Sequence, residues 1–380
     1  MNYDVIVIGL GGMGSSAAAN LARRGLRVLG LEQYRRGHSF GSSHGHTRII
    51  RTAYYEHPDY VPLCRKSFAA WHQLEQVLGR HLLTQCPCLS LGAKNTELFH
   101  GVVQAADEHH LEVQQLGPGA LRVQYPQFQF GDDIFGILEK DSGFLYVDEC
   151  VRALQDQAIA HGADLRFGEA VVEWKTIGDT VAVRTPWETL SAARLIITAG
   201  PWARQVLAEL SLPLTIMRQV PMWFQPSDPT PFRRDNFPIF IADLPNGAFY
   251  GLPMIESRGI KVAMHYGGDE LSHPDQVQRE ITSEDERPVR DFLKTHLPLA
   301  NGPRMDASVC LYTLTPDRHF IIDRHSQYSQ IAIAAGFSGH GFKFAPVVGE
   351  MLADLVTSNS ASGQIELFTM QRFIPNIAAI

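Results

Sequence analysis

The sequence predicts an α/β protein, mixed α+β in its second half. A Rossmann-like dinucleotide-binding domain is joined to a second domain built on an antiparallel sheet. Three observations predict this: a glycine-rich turn between a buried strand and a helix at the N-terminus, a second buried strand at 195–200, and an alternating, turn-punctuated stretch at 218–255.

Residues 3–8 are a short β-branched apolar run, as expected for a strand buried on both faces of a parallel sheet. The turn Gly9-Leu10-Gly11-Gly12-Met13-Gly14 follows at once. Residues 15–24 are strongly helix-forming, with Gly25 placed to end the helix. Residues 26–32 form a second strand closing on Glu32, which completes one βαβ unit. Gly9 permits the tight turn, Gly11 lets the backbone approach a pyrophosphate, and Gly14 lets helix pack on strand. The helix start offers free N–H groups and the positive end of its dipole. Glu32 stands where a carboxylate binds ribose hydroxyls. The strand Leu195-Ile196-Ile197, running into Thr198-Ala199-Gly200, suggests a late return to the same sheet. That favours FAD over a nicotinamide dinucleotide.

Residues 58–78 carry a helical stripe through Tyr60, Cys64, Phe68, Trp71, Leu74 and Leu78, and residues 150–160 repeat the pattern. Residues 218–255 read as antiparallel strands with a turn at Leu244-Pro245-Asn246-Gly247. Residues 283–297 read as an acidic helix bounded by Pro298. The expected division is a discontinuous cofactor domain, 1–213 and 317–380, and a substrate domain, 214–316.

With 380 residues, 45% hydrophobic and 19% charged, the chain has the composition of a two-domain globular enzyme. A net charge of -7 and a pI near 6.1 argue against nucleic-acid binding. No apolar run reaches the roughly 18 residues of a membrane span, and Val5–Ile8 is too short for a signal peptide. Cys64, Cys86, Cys88, Cys150 and Cys310 include no Cys-x-x-Cys pair, so neither a disulfide framework nor a metal site is expected, and a reducing cytoplasm fits best.

Four stretches carry a family resemblance beyond the N-terminal glycines. They are Gly41-Ser42-Ser43-His44-Gly45-His46-Thr47-Arg48-Ile49-Ile50-Arg51, Asp141-Ser142-Gly143, Val309-Cys310-Leu311-Tyr312-Thr313, and Ala335-Gly336-Phe337-Ser338-Gly339-His340-Gly341-Phe342-Lys343-Phe344. In order and over nearly the whole chain, the sequence resembles the monomeric sarcosine oxidase and N-methyltryptophan oxidase family. The resemblance implies an FAD enzyme that oxidises N-methyl or other secondary α-amino acids as a monomer. Hydride passes to flavin N5, the imine hydrolyses to amine and aldehyde, and dioxygen becomes hydrogen peroxide. It further implies that Cys310 carries FAD through a thioether. Arg51 and Lys343 hold the substrate carboxylate, Arg48 lies by the flavin ring, and Lys261 activates oxygen. Tyr250, His265 and Tyr312 line the substrate pocket, and His44, Gly339 and His340 lie close to the flavin. The first stretch departs from the family pattern, with Ser43 in place of a histidine and His46 in place of an aspartate.

The residue chemistry is compatible with these roles, each beside a plainer reading. Arg51 offers a bidentate fork and Lys343 a point charge for a carboxylate; a lone arginine is usually a solvated surface residue. Gly336, Gly339 and Gly341 allow close approach to a ring, and the helix that follows could favour an anionic reduced flavin; such a turn also simply precedes packing helices. If 259–265 is a strand, Lys261, Ala263 and His265 share one face and Val262 and Met264 the other; an edge strand with solvated polar residues reads the same. Cys310 is otherwise an inert core thiol. Two other activities fit: a related amine dehydrogenase using another electron acceptor, and a flavin-binding module without catalysis.

Overall fold

A computed structural model describes residues 3–358 and 366–373; residues 359–365 and 374–380 of the expected cofactor domain lie outside the described residues. The strand Tyr3–Ile8 is the centre of the first sheet. It pairs in parallel with Val28–Glu32 on one side and Thr189–Ile197 on the other. Asp164–Phe167 and Ile331–Ala335 extend this parallel core outward. The late strand thus lies directly beside the first, with Ile6 opposite Leu195 and Ile8 opposite Ile197.

Both faces of that core are covered, which is why residues 5–8, 195–197 and 331–335 are apolar at every position; the outer strand Asp164–Phe167 is half-buried and carries Asp164 and Arg166. Val5 and Val7 pack under the helices Gly12–Arg23 and Ala345–Thr357, while Ile6, Ile8, Leu195 and Ile197 face a second cluster with Val181, Val183 and Leu207. The antiparallel strands Glu173–Ile177 and Thr180–Arg184 extend the sheet from the first half of Thr189–Ile197. Gly349 on the C-terminal helix lies so close to the N-terminal helix that a Cβ there would fall 2.2 Å from Ser16 Oγ.

The second large sheet has eight strands. Ile239–Leu244, Gly247–Leu252, Ile260–Met264, Met222–Phe224 and Arg304–Ala307 follow one another antiparallel. The turn expected at 244–247 joins the first two. The remaining three strands, Cys88–Gly92, Phe135–Glu139 and Val113–Leu116, come from well before residue 214, where the sequence placed the boundary. Cys88–Gly92 is apolar and buried, and it satisfies the free edge of Ile239–Leu244 in parallel register. Nothing in the local pattern of residues 88–92 announces which sheet they join.

The two faces of this sheet do different things. One carries Phe240, Phe249 and Val262 against Val289, Phe292 and Leu293 of the helix Ser283–His296. The Phe249 and Phe292 rings stack at 4.6 Å. Burying each such side chain contributes about 1.5–3 kcal/mol, and Phe292→Ala would cost about 3–5 kcal/mol. The helix opens with a capping box between Thr282 and Asp285 and ends before Pro298. The other face carries Ile241, Tyr250, Leu252, Lys261 and Ala263, as the alternation predicts, and it looks toward the first sheet's C-terminal edge. Two small sheets bridge the gap: Thr47–Ile50 with Gly143–Tyr146 and Leu83–Gln85, and Thr215–Gln219 with Cys310–Leu314 and Glu270–Leu271. Among the described residues no helix is long and apolar enough to cross a membrane.

Candidate active site

A cavity of about 360 Å³ runs from the glycine turn to the seam between the sheets. At one end it is lined by Gly9, Gly11, Gly12 and Glu32, and at the other by Arg48, Tyr312 and Gly339. A side chain at the turn would block it from forming. Gly9 has φ +88°, and a Cβ on Gly14 would sit 1.8 Å from the Gly9 carbonyl oxygen. The N-cap Gly11 contributes no side-chain cap to the helix Gly12–Arg23, and no acid occupies the first turn. Its N–H donors and dipole suit a pyrophosphate. Ser43, one of the departures from the family pattern, lines this cavity and accepts from Gly12 N–H at 3.1 Å. Glu32 first fastens the turn, accepting from Leu10 N–H at 3.0 Å and Tyr34 N–H at 3.1 Å. Oε1 also faces His38 Nε2 at 3.4 Å, so Oε2 is the oxygen with a lone pair for a ribose hydroxyl. A glycine cradle, a helix start without a cap from its own N-cap residue and an acid at the second strand's end fit the dinucleotide of FAD.

A second cavity of about 70 Å³ abuts the first; Arg48, Tyr312, Gly339 and Phe342 line both. Gly339 makes the junction possible, because a Cβ there would fall 2.4 Å from the Tyr312 ring. Tyr250 and His265 stand on the floor, ring centroids 5.9 Å apart, and His265 Nδ1 lies 3.3 Å from Tyr312 OH. Arg51, His340 and Lys343 close the far wall. Arg51 donates to Glu56 at 2.6 Å and to the Ala53 carbonyl at 2.6 Å, with its guanidinium over the Tyr54 and Tyr55 rings. Burial alone would raise the Glu56 carboxyl, but the charges of Arg51, His340 and Lys343 outweigh it and hold it at about 2. Burial, then the Arg51 charge, lowers Lys343 to about 8. Burial takes His265 down to about 3 and His340 to about 4, so both are neutral at pH 7. At the far wall Arg51 and Lys343 therefore face the Glu56 carboxylate, and Arg48 adds a third cation at the junction.

Four expected site residues line neither cavity: Gly14, which packs against the Gly9 carbonyl, and Cys310, Lys261 and His44. Cys310 lies behind the junction, its thiol 3.3 Å from Arg48 and 3.6 Å from the Ser42 carbonyl. Arg48 is fixed there by the carbonyls of Ser42 at 3.0 Å and Thr47 at 2.9 Å. Lys261 spends its three donors on Gly45 O, Thr47 O and Thr47 Oγ1 at 2.9–3.3 Å, over the Trp223 ring. Burial and the neighbouring Arg48 depress its pKa well below the usual lysine value. His44 is buried, 3.1 Å from the Gly41 carbonyl, and burial lowers it to about 3.

Sequence reasoning missed Tyr54, Tyr55 and Glu56 directly after Arg51. The signal was present, since an acid five positions past a buried arginine in an aromatic run can serve as its partner. It also missed Glu139, whose Oε1 accepts from Thr52 N–H at 2.7 Å and so pins the segment that carries Arg51. Nothing local marks that carboxylate, because its partner comes from a loop distant in sequence.

Fold and site together define a dinucleotide-binding flavoprotein with a small polar pocket at the end of its cofactor cavity. The model of the FAD dependent oxidoreductase family matches residues 4–355. The chain belongs to that family and, within it, groups with the monomeric sarcosine oxidases and N-methyl-L-tryptophan oxidases. It is 36% identical over 376 residues to the monomeric sarcosine oxidase of Arthrobacter sp. (strain TE1826), covering 98% of this chain and 96% of that one. It is 36% identical over 381 residues to the human peroxisomal sarcosine oxidase, covering 98% and 96%. It is 32% identical over 375 residues to the N-methyl-L-tryptophan oxidase of Citrobacter koseri, covering 98% and 100%. Among solved structures it is similar to L-proline dehydrogenase from P. horikoshii, with a TM-score of 0.85 at 23% identity over 98% of each chain, a likeness of fold.

Proposed function

We propose that this FAD-dependent oxidoreductase is an oxidase of small secondary α-amino acids of the sarcosine type, acting as a monomer. The observation that carries the reading is the junction: a pocket holding Arg51 and Lys343 opens onto the end of the dinucleotide cavity through Arg48, Tyr312 and Gly339. FAD, when bound, supplies a hydride acceptor for the carbon beside the amine and passes the electrons to dioxygen.

The chain's own residues select and place the substrate. With cations in excess of the one Glu56 carboxylate and both histidines neutral, the pocket complements a carboxylate whose amine is uncharged, the form from which hydride can leave. Arg51 supplies a fork and Lys343 a point charge to that carboxylate. Tyr250, His265 and Tyr312 pack around the amine end. At about 10–15 Å³ per enclosed water, a 70 Å³ pocket matches an amino acid with a hydrogen or methyl side chain and is too small for an indole. The imine product hydrolyses in water to an amine and an aldehyde.

Two further assignments belong to this proposal. Cys310 carries the flavin covalently, supported by the Arg48 guanidinium 3.3 Å from its thiol at the end of the dinucleotide cavity. Lys261 serves the reaction with oxygen, supported by its buried amine beside Arg48. The domain division also stays a proposal, with residues 88–139 contributing strands to the catalytic sheet. Peroxide release tests the reading: sarcosine should yield hydrogen peroxide and formaldehyde, and N-methyltryptophan should yield little. Lys261→Met should slow reoxidation by dioxygen and spare reduction by substrate. Turnover with an artificial acceptor but not dioxygen would instead make the protein a dehydrogenase.

A further inference from the structure

Lys343 reaches the small pocket with only one of its three donors unassigned. Its Nζ donates to Tyr54 OH at 3.2 Å and to the His340 carbonyl at 2.6 Å. Tyr54 OH lies 2.6 Å from His340 Nδ1. His340 Nε2 lies 2.9 Å from the Arg318 carbonyl, which can only accept, so Nε2 carries the proton and Nδ1 presents a lone pair. The hydroxyl therefore donates to Nδ1 and turns its own lone pair to the lysine. The His340 carbonyl, 3.2 Å from the same hydroxyl, is already taken by Lys343 at the shorter distance. Tyr54 is wholly buried and lines neither cavity. Its ring nevertheless lies under two of the pocket cations, 4.2 Å from the Arg51 guanidinium and 4.9 Å from Lys343 Nζ. Tyr60 and Phe344 hold the ring from behind at 4.8 and 5.4 Å.

We propose that Tyr54 is a positioning residue for the substrate carboxylate: the chain Lys343–Tyr54–His340–Arg318 carbonyl aims the remaining Lys343 N–H into the pocket. This rests on the reading of Arg51 and Lys343 as the carboxylate holders. A free lysine side chain samples many rotamers. Two fixed acceptors reduce that freedom before substrate arrives, so the benefit appears in binding and not in the chemical step.

The test uses the flavin-loaded enzyme and acetate, a carboxylate without an amine, titrated against the visible flavin spectrum. Tyr54→Phe keeps the ring and its packing and removes only the hydroxyl. It should weaken acetate about tenfold, the size expected for one hydrogen bond to a charged group, and raise the KM of the amino-acid substrate by the same factor. Flavin content should stay at the wild-type value and kcat within about twofold, while Tm should fall modestly because buried His340 Nδ1 loses its donor. In a Lys343→Met background the same change should have no further effect, because the two residues act as one unit. If Tyr54→Phe does not fold, His340→Asn, which retains an acceptor at the Nδ1 position, should bind acetate more tightly than His340→Leu. Weak acetate binding in Lys343→Met with wild-type binding in Tyr54→Phe would overturn the positioning role alone. Unchanged binding in Lys343→Met would overturn the carboxylate reading and the positioning role with it.

Discussion

Arg51 and Glu56 form a buried ion pair at 2.6 Å in the wall of the small pocket, five residues apart on one segment. The carboxylate occupies part of the guanidinium that the proposed function assigns to substrate. It also compensates a cation that would otherwise be buried without a partner. Stability and substrate binding therefore draw on the same group in opposite directions.

Glu56→Gln should separate the two. Removing one partner of a buried pair costs about 3–5 kcal/mol, so Tm should fall. The pocket gains one net positive charge, so acetate should bind more tightly and restore part of the lost Tm. Thermal melts with and without acetate measure both effects. A variant as stable as wild type, with unchanged acetate affinity, would show that the pair matters to neither.

Acetate affinity should also report the Lys343 charge. Burial and Arg51 lower that lysine to about 8, so the ammonium is present below pH 8 and lost above it. Glu56 at about 2, His265 at about 3 and His340 at about 4 hold their charge state from pH 6 to 10. The Kd for acetate should be flat to pH 8 and then rise by up to about tenfold per pH unit. Lys343→Met should remove the pH dependence.

The glycine turn yields a sharp contrast with another glycine. A Cβ at Gly14 would meet the Gly9 carbonyl at 1.8 Å and Thr198 Oγ1 at 2.4 Å, whereas one at Gly25 meets nothing within 4 Å. Gly14→Ala should cost at least about 3 kcal/mol and give flavin-poor protein. Gly25→Ala, strained only by its positive φ, should cost about 1–2 kcal/mol and keep its flavin. Denaturant melts and flavin-to-protein absorbance ratios check both.

Cys310→Ser decides the attachment. Acid-precipitated wild-type protein should stay yellow, and the serine variant should release its flavin to the supernatant. Wild-type protein that also releases its flavin would leave Cys310 as a buried thiol beside Arg48.

Much of this site was legible because the residues act where they stand in sequence. The βαβ unit, the strand bearing Lys261 and Ala263, and the acidic helix before Pro298 follow from local periodicity and turn chemistry. The return of residues 195–197 to the first strand's sheet was legible because both runs are apolar on every position, as a strand covered on both faces must be; that they pair directly with 6–8 was not. What stayed hidden is non-local. The strands of 88–139 join the second sheet through an edge offered by residue 239 onward. Glu139 meets Thr52, and Tyr54 meets His340 and Lys343, only once two distant loops are folded together. Cys310 drew its proposed role from resemblance alone; its contact with Arg48 joins strands of two different small sheets, a meeting no local pattern announces.

The most direct measurement is anaerobic mixing of the purified yellow protein with sarcosine while the visible flavin band is followed. Bleaching with sarcosine, and much slower bleaching with N-methyltryptophan at equal concentration, is the predicted result. A flavin that stays oxidised with sarcosine, proline and N-methylalanine alike would contradict the assignment of the Arg51–Lys343 pocket to a small secondary amino acid.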